Sequence, residues 1–354
     1  MTETGNLVAE TTSRIFRDLG DPQALAGAKD ERWKAPLWQA LEEAGLTRAW
    51  VPEALGGAGA GIAEGFDIVR IAGSFAVAVP LAETLLAGWL LSRAGIAVPE
   101  GALSVAPVRE QDRILLNPDG TLSGSARAVP FARDAAHLTV LAWRGQAAVV
   151  ALVARAACTI REGTNLAHEP RDEVVFANAQ PLSVADAPAG LTNHELLLMG
   201  AAVRALQMSG ALQSILELSV AYARERVAFE KPIGKFQAIQ HSLARLAGEA
   251  AAALVAAGSA ADTLSGASAF DAAVFLEAAS AKIRSGEAAG KGAAIAHQVH
   301  GAIGYSAELA LHRYTLRLLA WRDDFGGESH WAVRLGNRVA ANGADALWPM
   351  LAAR

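Results

Sequence analysis

The chain has 354 residues, just over half of them hydrophobic, with a formal net charge of −5 and a single cysteine, Cys158. This length buries a large interior shared by two or three subdomains, and this composition excludes a disordered chain. The small negative charge and the lack of any basic run exclude nucleic acid as a partner, and one cysteine excludes an internal disulfide or a CxxC metal site.

From the start to about Ile96 the chain reads as helices. "ERWKAPLWQALEEAG" sets Trp33, Leu37, Leu41 and Ala44 at helical spacing with Gly45 as a stop, and the segments Ile62 to Ala72 and Leu81 to Ala94 repeat the pattern. The opening "MTETGNLVAE" has neither the basic start nor the apolar core of a signal peptide, and a cytoplasmic protein is expected. "SFAVAVPLAETLLAGWLL" is interrupted by Pro80 and Glu83 and reads as an extended segment entering a buried helix, not as a membrane span. "GGAGAG", Gly56 to Gly61, resembles a phosphate loop but lacks the strand that must precede one, so a flexible turn is expected.

Between about Gly101 and Ala187 the pattern changes to short apolar runs. "NPDG" is a turn in which Pro118 fixes φ and Gly120 takes the positive φ. "HLTVLAW", "AAVVALVA" and "DEVVFANAQ" read as strands, the first two joined by "RGQ" as a hairpin. Cys158, in "VARAACTI", reads as a buried small side chain.

From about Leu191 three long alanine-rich helical segments follow, the first opening at Asn193 as its cap. The fold class expected is mainly α: an N-terminal helical domain over residues 1–98, a central β-domain over 99–190, and a C-terminal helical bundle over 191–354. Two of its stretches carry candidate chemistry. His297 and His300 in "HQVH" read as hydrogen-bonded histidines at a helix end, and no metal site is expected. "AWRDDFGGESHW" crowds Asp323, Asp324, Glu328 and His330 around two glycines; it is either a polar loop capping the next helix or the seat of a general base.

Taken together the pieces resemble the acyl-CoA dehydrogenase family, over nearly the whole chain, and the resemblance implies a β-barrel-like central domain and a C-terminal four-helix bundle. "LEEAGLTRAWVPEALGGAGAG" is similar to the family's N-terminal helix and loop. "ARERVAFEKPIGKFQAIQH" holds the family's Arg-x-x-Phe-Gly-x-Pro-Ile-x-x-x-Gln spacing at Arg226, Phe229, Pro232, Ile233 and Gln237. "HQVHGAIGYSAE" resembles its Gln-x-x-Gly-Gly-x-Gly segment at Gln298, Gly301 and Gly304. The resemblance implies FAD as cofactor. Arg226, Phe229 and Gln237 would then meet its diphosphate and adenosine, and Gln298 and Gly301 would meet the same FAD across a dimer interface. It further implies an acyl-CoA substrate, an electron-transfer flavoprotein, and assembly as a homodimer, homotetramer or heterotetramer with a homologous subunit.

The sequence also departs from the family. Ala228 and Glu230 replace a polar residue and a glycine in the FAD loop, Ala302 replaces the second glycine of the later motif, and "GALSVAPVREQDR" stands where a Thr-Glu-Pro…Gly-Ser-Asp stretch is usual. The family reaction removes an α-proton from the thioester while hydride passes to flavin N5, and a carboxylate must face the α-carbon. That Glu position falls here on Phe325 or Gly326, and the alternative position on the first bundle helix falls near Gly200. Either Asp324 or Glu328 is a displaced base, or the chain is the base-lacking subunit of a heteromeric dehydrogenase, the reading favoured. A non-catalytic scaffold subunit, or another flavin reaction such as desulfination, is the alternative. Gly200 further suggests room for a bulky acyl group.

Overall fold

The structure, a computed structural model, describes residues 3–26, 28 and 30–352. Four helices open it: α1 (Glu3–Leu19), α2 (Lys34–Glu43), α3 (Ile62–Phe75) and α4 (Leu81–Arg93). The spacing expected of α2 buries Leu37 and Leu41, and Gly45 ends the segment at φ 71°. α4 is buried on every side from Leu81 to Leu91, so its apolar character is that of a core helix. The "GGAGAG" stretch follows two 3-10 turns, not a strand. It is a packed turn and not the flexible one expected: Gly59 N–H donates to Val51 O, and a Cβ on Gly57 would collide with Val51.

Eight strands then form one sheet: β1 (Leu103–Ala106), β2 (Ile114–Leu116), β3 (Leu122–Pro130), β4 (His137–Arg144), β5 (Ala147–Ala154), β6 (Thr159–Arg161), β7 (Arg171–Ala179) and β8 (Ser183–Asp186). The order is β6-β7-β3-β2-β4-β5-β8, with β1 parallel to β4. The barrel-like expectation holds only loosely. β6 and β8 are edges that do not pair with each other, so the sheet stays open. Both turns fall where expected, with Gly120 at φ 83° and Gly145 at φ 63°. Cys158 is half-buried, and burial pushes its thiol up to about 11.

The chain returns to helix in α5 (Asn193–Glu225), crosses a two-residue ribbon β9 (Val227–Ala228) and β10 (Lys231–Pro232), and continues through α6 (Gln237–Gly266), α7 (Ala272–His300), α8 (Leu311–Asp323), α9 (Glu328–Asn342) and a last turn α10 (Leu347–Ala352). Thr192, not Asn193, caps α5: its hydroxyl accepts from His194 N–H while Glu195 reaches back to Thr192 N–H, a reciprocal capping box. Alanines at 250, 253, 257 and 260 of α6 and at 278, 281, 288 and 289 of α7 are buried, which lets these helices pack closely. α6 is long and apolar enough to cross a membrane by composition alone, but it is a bundle helix whose inner face lies on its neighbours.

The N-terminal helices and the bundle meet at the crossing of α3 and α5. A Cβ on Gly73 would collide with the Gln207 backbone, and one on Gly210 with the Arg70 carbonyl, so the two backbones touch with no side chain between them. Gly210→Ala is therefore expected to lower stability by about 1–3 kcal/mol through overpacking, read as a lower urea midpoint, whereas Gly248→Ala, in open space on α6, should not.

Candidate active site and cofactor face

The residues singled out in the sequence separate to the two ends of the bundle. At one end lie the C-terminus of α5, the N-terminus of α6 and the C-terminus of α7. Arg226 caps α5, and the turn between β9 and β10 puts Phe229 at φ 50° and Glu230 at φ 66°. Two successive positive φ values make a type I′ hairpin, which favours glycine and explains the usual glycine at the Glu230 position. Phe229 is 89% exposed and meets Phe236 edge to face. Arg226, Gln237, Gln298 and Gly301 are exposed as well, and the Arg226 guanidinium has no ion pair among the described residues. Gly301 ends α7 at φ 66° with nothing near its Cβ position, while Ala302 keeps a negative φ that alanine adopts freely.

Stacking ties this end together. Tyr222 of α5 lies on His300 with centroids 4.5 Å apart, and Tyr305 lies on His297 at 4.1 Å. His297 Nε2 is 2.8 Å from Thr315 Oγ1 and His300 Nδ1 is 2.8 Å from Ala296 O; among the described residues no three metal-ligating side chains cluster. The Arg226 loop and the Gln298 segment therefore belong to one surface of one chain.

At the other end lies the loop between α8 and α9. Asp324 is held from two directions: Arg171 of β7 donates to it through Nε at 3.0 Å and Nη2 at 2.7 Å, and Arg204 of α5 through Nε at 3.0 Å. Arg204 also donates to Glu83 of α4 and to Gln207, each at 2.5 Å. Arg317 of α8 donates to Glu169 at 2.8 Å, and Arg171 lies 3.6 Å from the same Glu169. Burial alone would push the Asp324 carboxyl up, but Arg171 and Arg204 hold it below the usual range. Asp324 is thus a clamped anion with both oxygens engaged. Glu328 is engaged too, accepting from Arg322 Nε at 2.6 Å and lying over Gly286 of α7.

Phe325 sits at φ 54° with its ring buried against Gly200 of α5; a Cβ on Gly200 would overlap that ring. Gly200 and Phe325, the two positions expected from the resemblance to correspond to the family's base, thus meet in space. The suggestion of room at Gly200 is overturned by the same contact. Trp331 Nε1 donates to Phe325 O at 3.0 Å, and fully buried Lys282 of α7 donates to Arg322 O at 2.5 Å and Gly326 O at 2.8 Å. Burial pulls the Lys282 ammonium down to about 8.

Beside this loop, against the sheet, is a cavity of about 380 Å³ lined by Arg109, Ala128, Asn165, Arg171, Asp324 and Phe325 among others. The distance between the two ends is set by α5, which runs unbroken from Gly200 to its cap at Arg226; at 1.5 Å per residue that is roughly 39 Å. Glu169, Arg171, Arg204, Lys282 and Arg317 were not singled out in the sequence, and Glu83 only as a break in an apolar run. Arg204 has one signal, a lone charge within the apolar run "GAAVRALQM", whereas Glu169, Arg171 and Arg317 sit among other charges.

Asp324→Asn leaves two buried guanidiniums short of their anion and is expected to cost about 3–5 kcal/mol at pH 7, read by urea denaturation. A lowered native pKa gives stability that is complete above the ordinary carboxylate pKa and lost as pH falls through the native value. The gap between variant and parent should therefore close in acid.

Sequence models of the acyl-CoA dehydrogenase N-terminal and C-terminal domains match residues 2–97 and 192–326. Acyl-CoA dehydrogenase IpdE2 of Mycobacterium tuberculosis is 29% identical over 318 residues, covering 89% of this chain and 91% of that protein. The crystal structure of the ChsE4-ChsE5 complex from Mycobacterium tuberculosis superposes with a TM-score of 0.85 at 23% identity, over 97% of this chain and 99% of that one. A variant of the Tcur3481-Tcur3483 steroid acyl-CoA dehydrogenase does so at 0.81 and 24%, over 96% and 98%. With the two terminal domains matched and the helix–sheet–helix order shared, the chain belongs to the acyl-CoA dehydrogenase family of FAD-dependent oxidoreductases.

Proposed function

We propose that this chain is the base-lacking subunit of a heteromeric acyl-CoA dehydrogenase that introduces an α,β double bond into an acyl-CoA thioester. The observation that carries this reading is the loop 324–327: Phe325 fills the place of the base, and the carboxylates on either side are held by arginines. A base must be free to touch the α-proton, and a carboxylate chelated by two guanidiniums, its pKa lowered, is a poor acceptor.

The other end of the bundle suits FAD. Arg226 offers a free guanidinium fork to a diphosphate, Gln237 and Gln298 offer carboxamides, Phe229 offers an open ring face, and Gly301 leaves backbone accessible. FAD, when bound, supplies the hydride acceptor. This face lies roughly 39 Å along α5 from the chain's own loop, more than one extended FAD spans, so Arg226 and Gln298 serve an FAD whose ring lies against a second subunit. That subunit supplies the base. The outer side of α6 supports assembly: Ala244, Gly248, Ala251, Ala252 and Val255 are exposed at helical spacing, a small-residue face on which another helix can lie closely. The relatives named as a two-component complex and as a steroid acyl-CoA dehydrogenase favour a bulky acyl group, with an electron-transfer flavoprotein as the next electron acceptor.

The chain purified alone should be colourless, and co-expression with a homologous dehydrogenase subunit should give a yellow complex that an acyl-CoA bleaches. In that complex Arg226→Ala should lose most of the bound FAD, while Glu328→Gln should change turnover by no more than a few-fold. A yellow lone chain bleached by an acyl-CoA, or a drop of 10² or more in Glu328→Gln, overturns the proposal and points to a displaced base. Val255→Glu, on the bare side of α6, is expected to prevent assembly while the lone chain stays folded, as judged by sedimentation and circular dichroism.

A further inference from the structure

A second cavity lies at the same end of the bundle as the clamped loop, toward the N-terminal helices. It has a volume of about 230 Å³ and is walled by Trp50, Trp89, Phe270, Met199, Leu264 and Val274. Trp50 comes from the turn before α3, Trp89 from α4, Met199 from α5, and Phe270 from the segment joining α6 to α7. Trp89 and Phe270 meet edge to face at 6.0 Å. The Trp50 indole N–H is already taken by Ile62 O at 3.0 Å. Phe325, packed on the neighbouring residue of α5, Gly200, is not among the residues that line this space.

Polar side chains also line the cavity. Ser92 and Arg93 close α4 there, and Ser268 faces them from the α6–α7 segment. Arg93 is exposed and has no ion pair among the described residues. A half-open, mainly apolar space with one cation in its lining matches a compact apolar body carrying one negative charge. The walls are aromatic planes, which suit the flat or puckered faces of a ring, and the volume admits one or two small rings but neither a long chain nor a coenzyme.

We propose that this cavity is a binding site for a small alicyclic or aromatic carboxylate, with the ring between Trp50, Trp89 and Phe270 and the carboxylate on Arg93. The site is independent of the FAD face and of the clamped loop, so it stands or falls apart from the dehydrogenase reading.

The test is isothermal titration of the full chain with cyclohexanecarboxylate and with the neutral cyclohexanecarboxamide. The parent should bind the acid saturably at one site. Arg93→Gln, a surface change, should weaken the acid about tenfold and leave the amide as it was, through loss of one charge-assisted hydrogen bond. Ala269→Trp should place an indole in the mouth and remove binding of both. Absence of saturable binding to the parent overturns the proposal, as does equal affinity of Arg93→Gln for the acid. So does unchanged binding to a folded Ala269→Trp.

Discussion

The grip of Arg171 and Arg204 on Asp324 is the interaction on which the arrangement of the three regions depends. An ion removed from water is unfavourable by several kcal/mol unless its partners are close and their own hydrogen bonds are met. Here the requirement spreads outward. Arg204 is satisfied only with Glu83 and Gln207, and Arg171 lies beside Glu169, which in turn takes Arg317. The result is three carboxylates against three guanidiniums, drawn from α4, the sheet, α5, α8 and the loop after it. Lys282 lies outside this balance. It meets only carbonyl dipoles, which is why burial can depress its affinity for a proton.

Most of the local structure is legible in the sequence because it is set by neighbours along the chain. Leu37 and Leu41 announce α2 by spacing, and Gly120 and Gly145 announce their turns by backbone freedom. The N-cap of α5 shows how narrow the margin is: Asn193 and Thr192 are both capping residues, and Glu195 decides for Thr192 by completing the reciprocal pair. The ion cluster was not legible, because Arg171 and Arg204 lie 153 and 120 residues along the chain from Asp324, and nothing local says that they meet it. Gly200 misled for the same reason. A missing side chain reads as space until the ring that occupies it is known, and Phe325 lies far along the chain.

The family glycines separate into two kinds once the backbone is in view. At Glu230 the family residue answers a positive φ, which a side chain adopts only with strain. At Ala302 the backbone is 3-10 and makes no such demand, so alanine stands there without conformational consequence. The first departure sits on the hairpin that presents Phe229, where a carboxylate now neighbours a face suited to phosphate. The second leaves the shape of its segment intact.

The contact of α3 with α5 bears on how the molecule moves. Helices separated by side chains can slide by small rotamer changes, the usual basis of shear between packed layers. Gly73 and Gly210 leave no such cushion, and each backbone blocks the other. The first helical region and the long axis of the bundle therefore behave as one lever. Any motion that accompanies assembly or ligand entry must be taken up elsewhere, at the short segments joining α5 to α6 and α6 to α7.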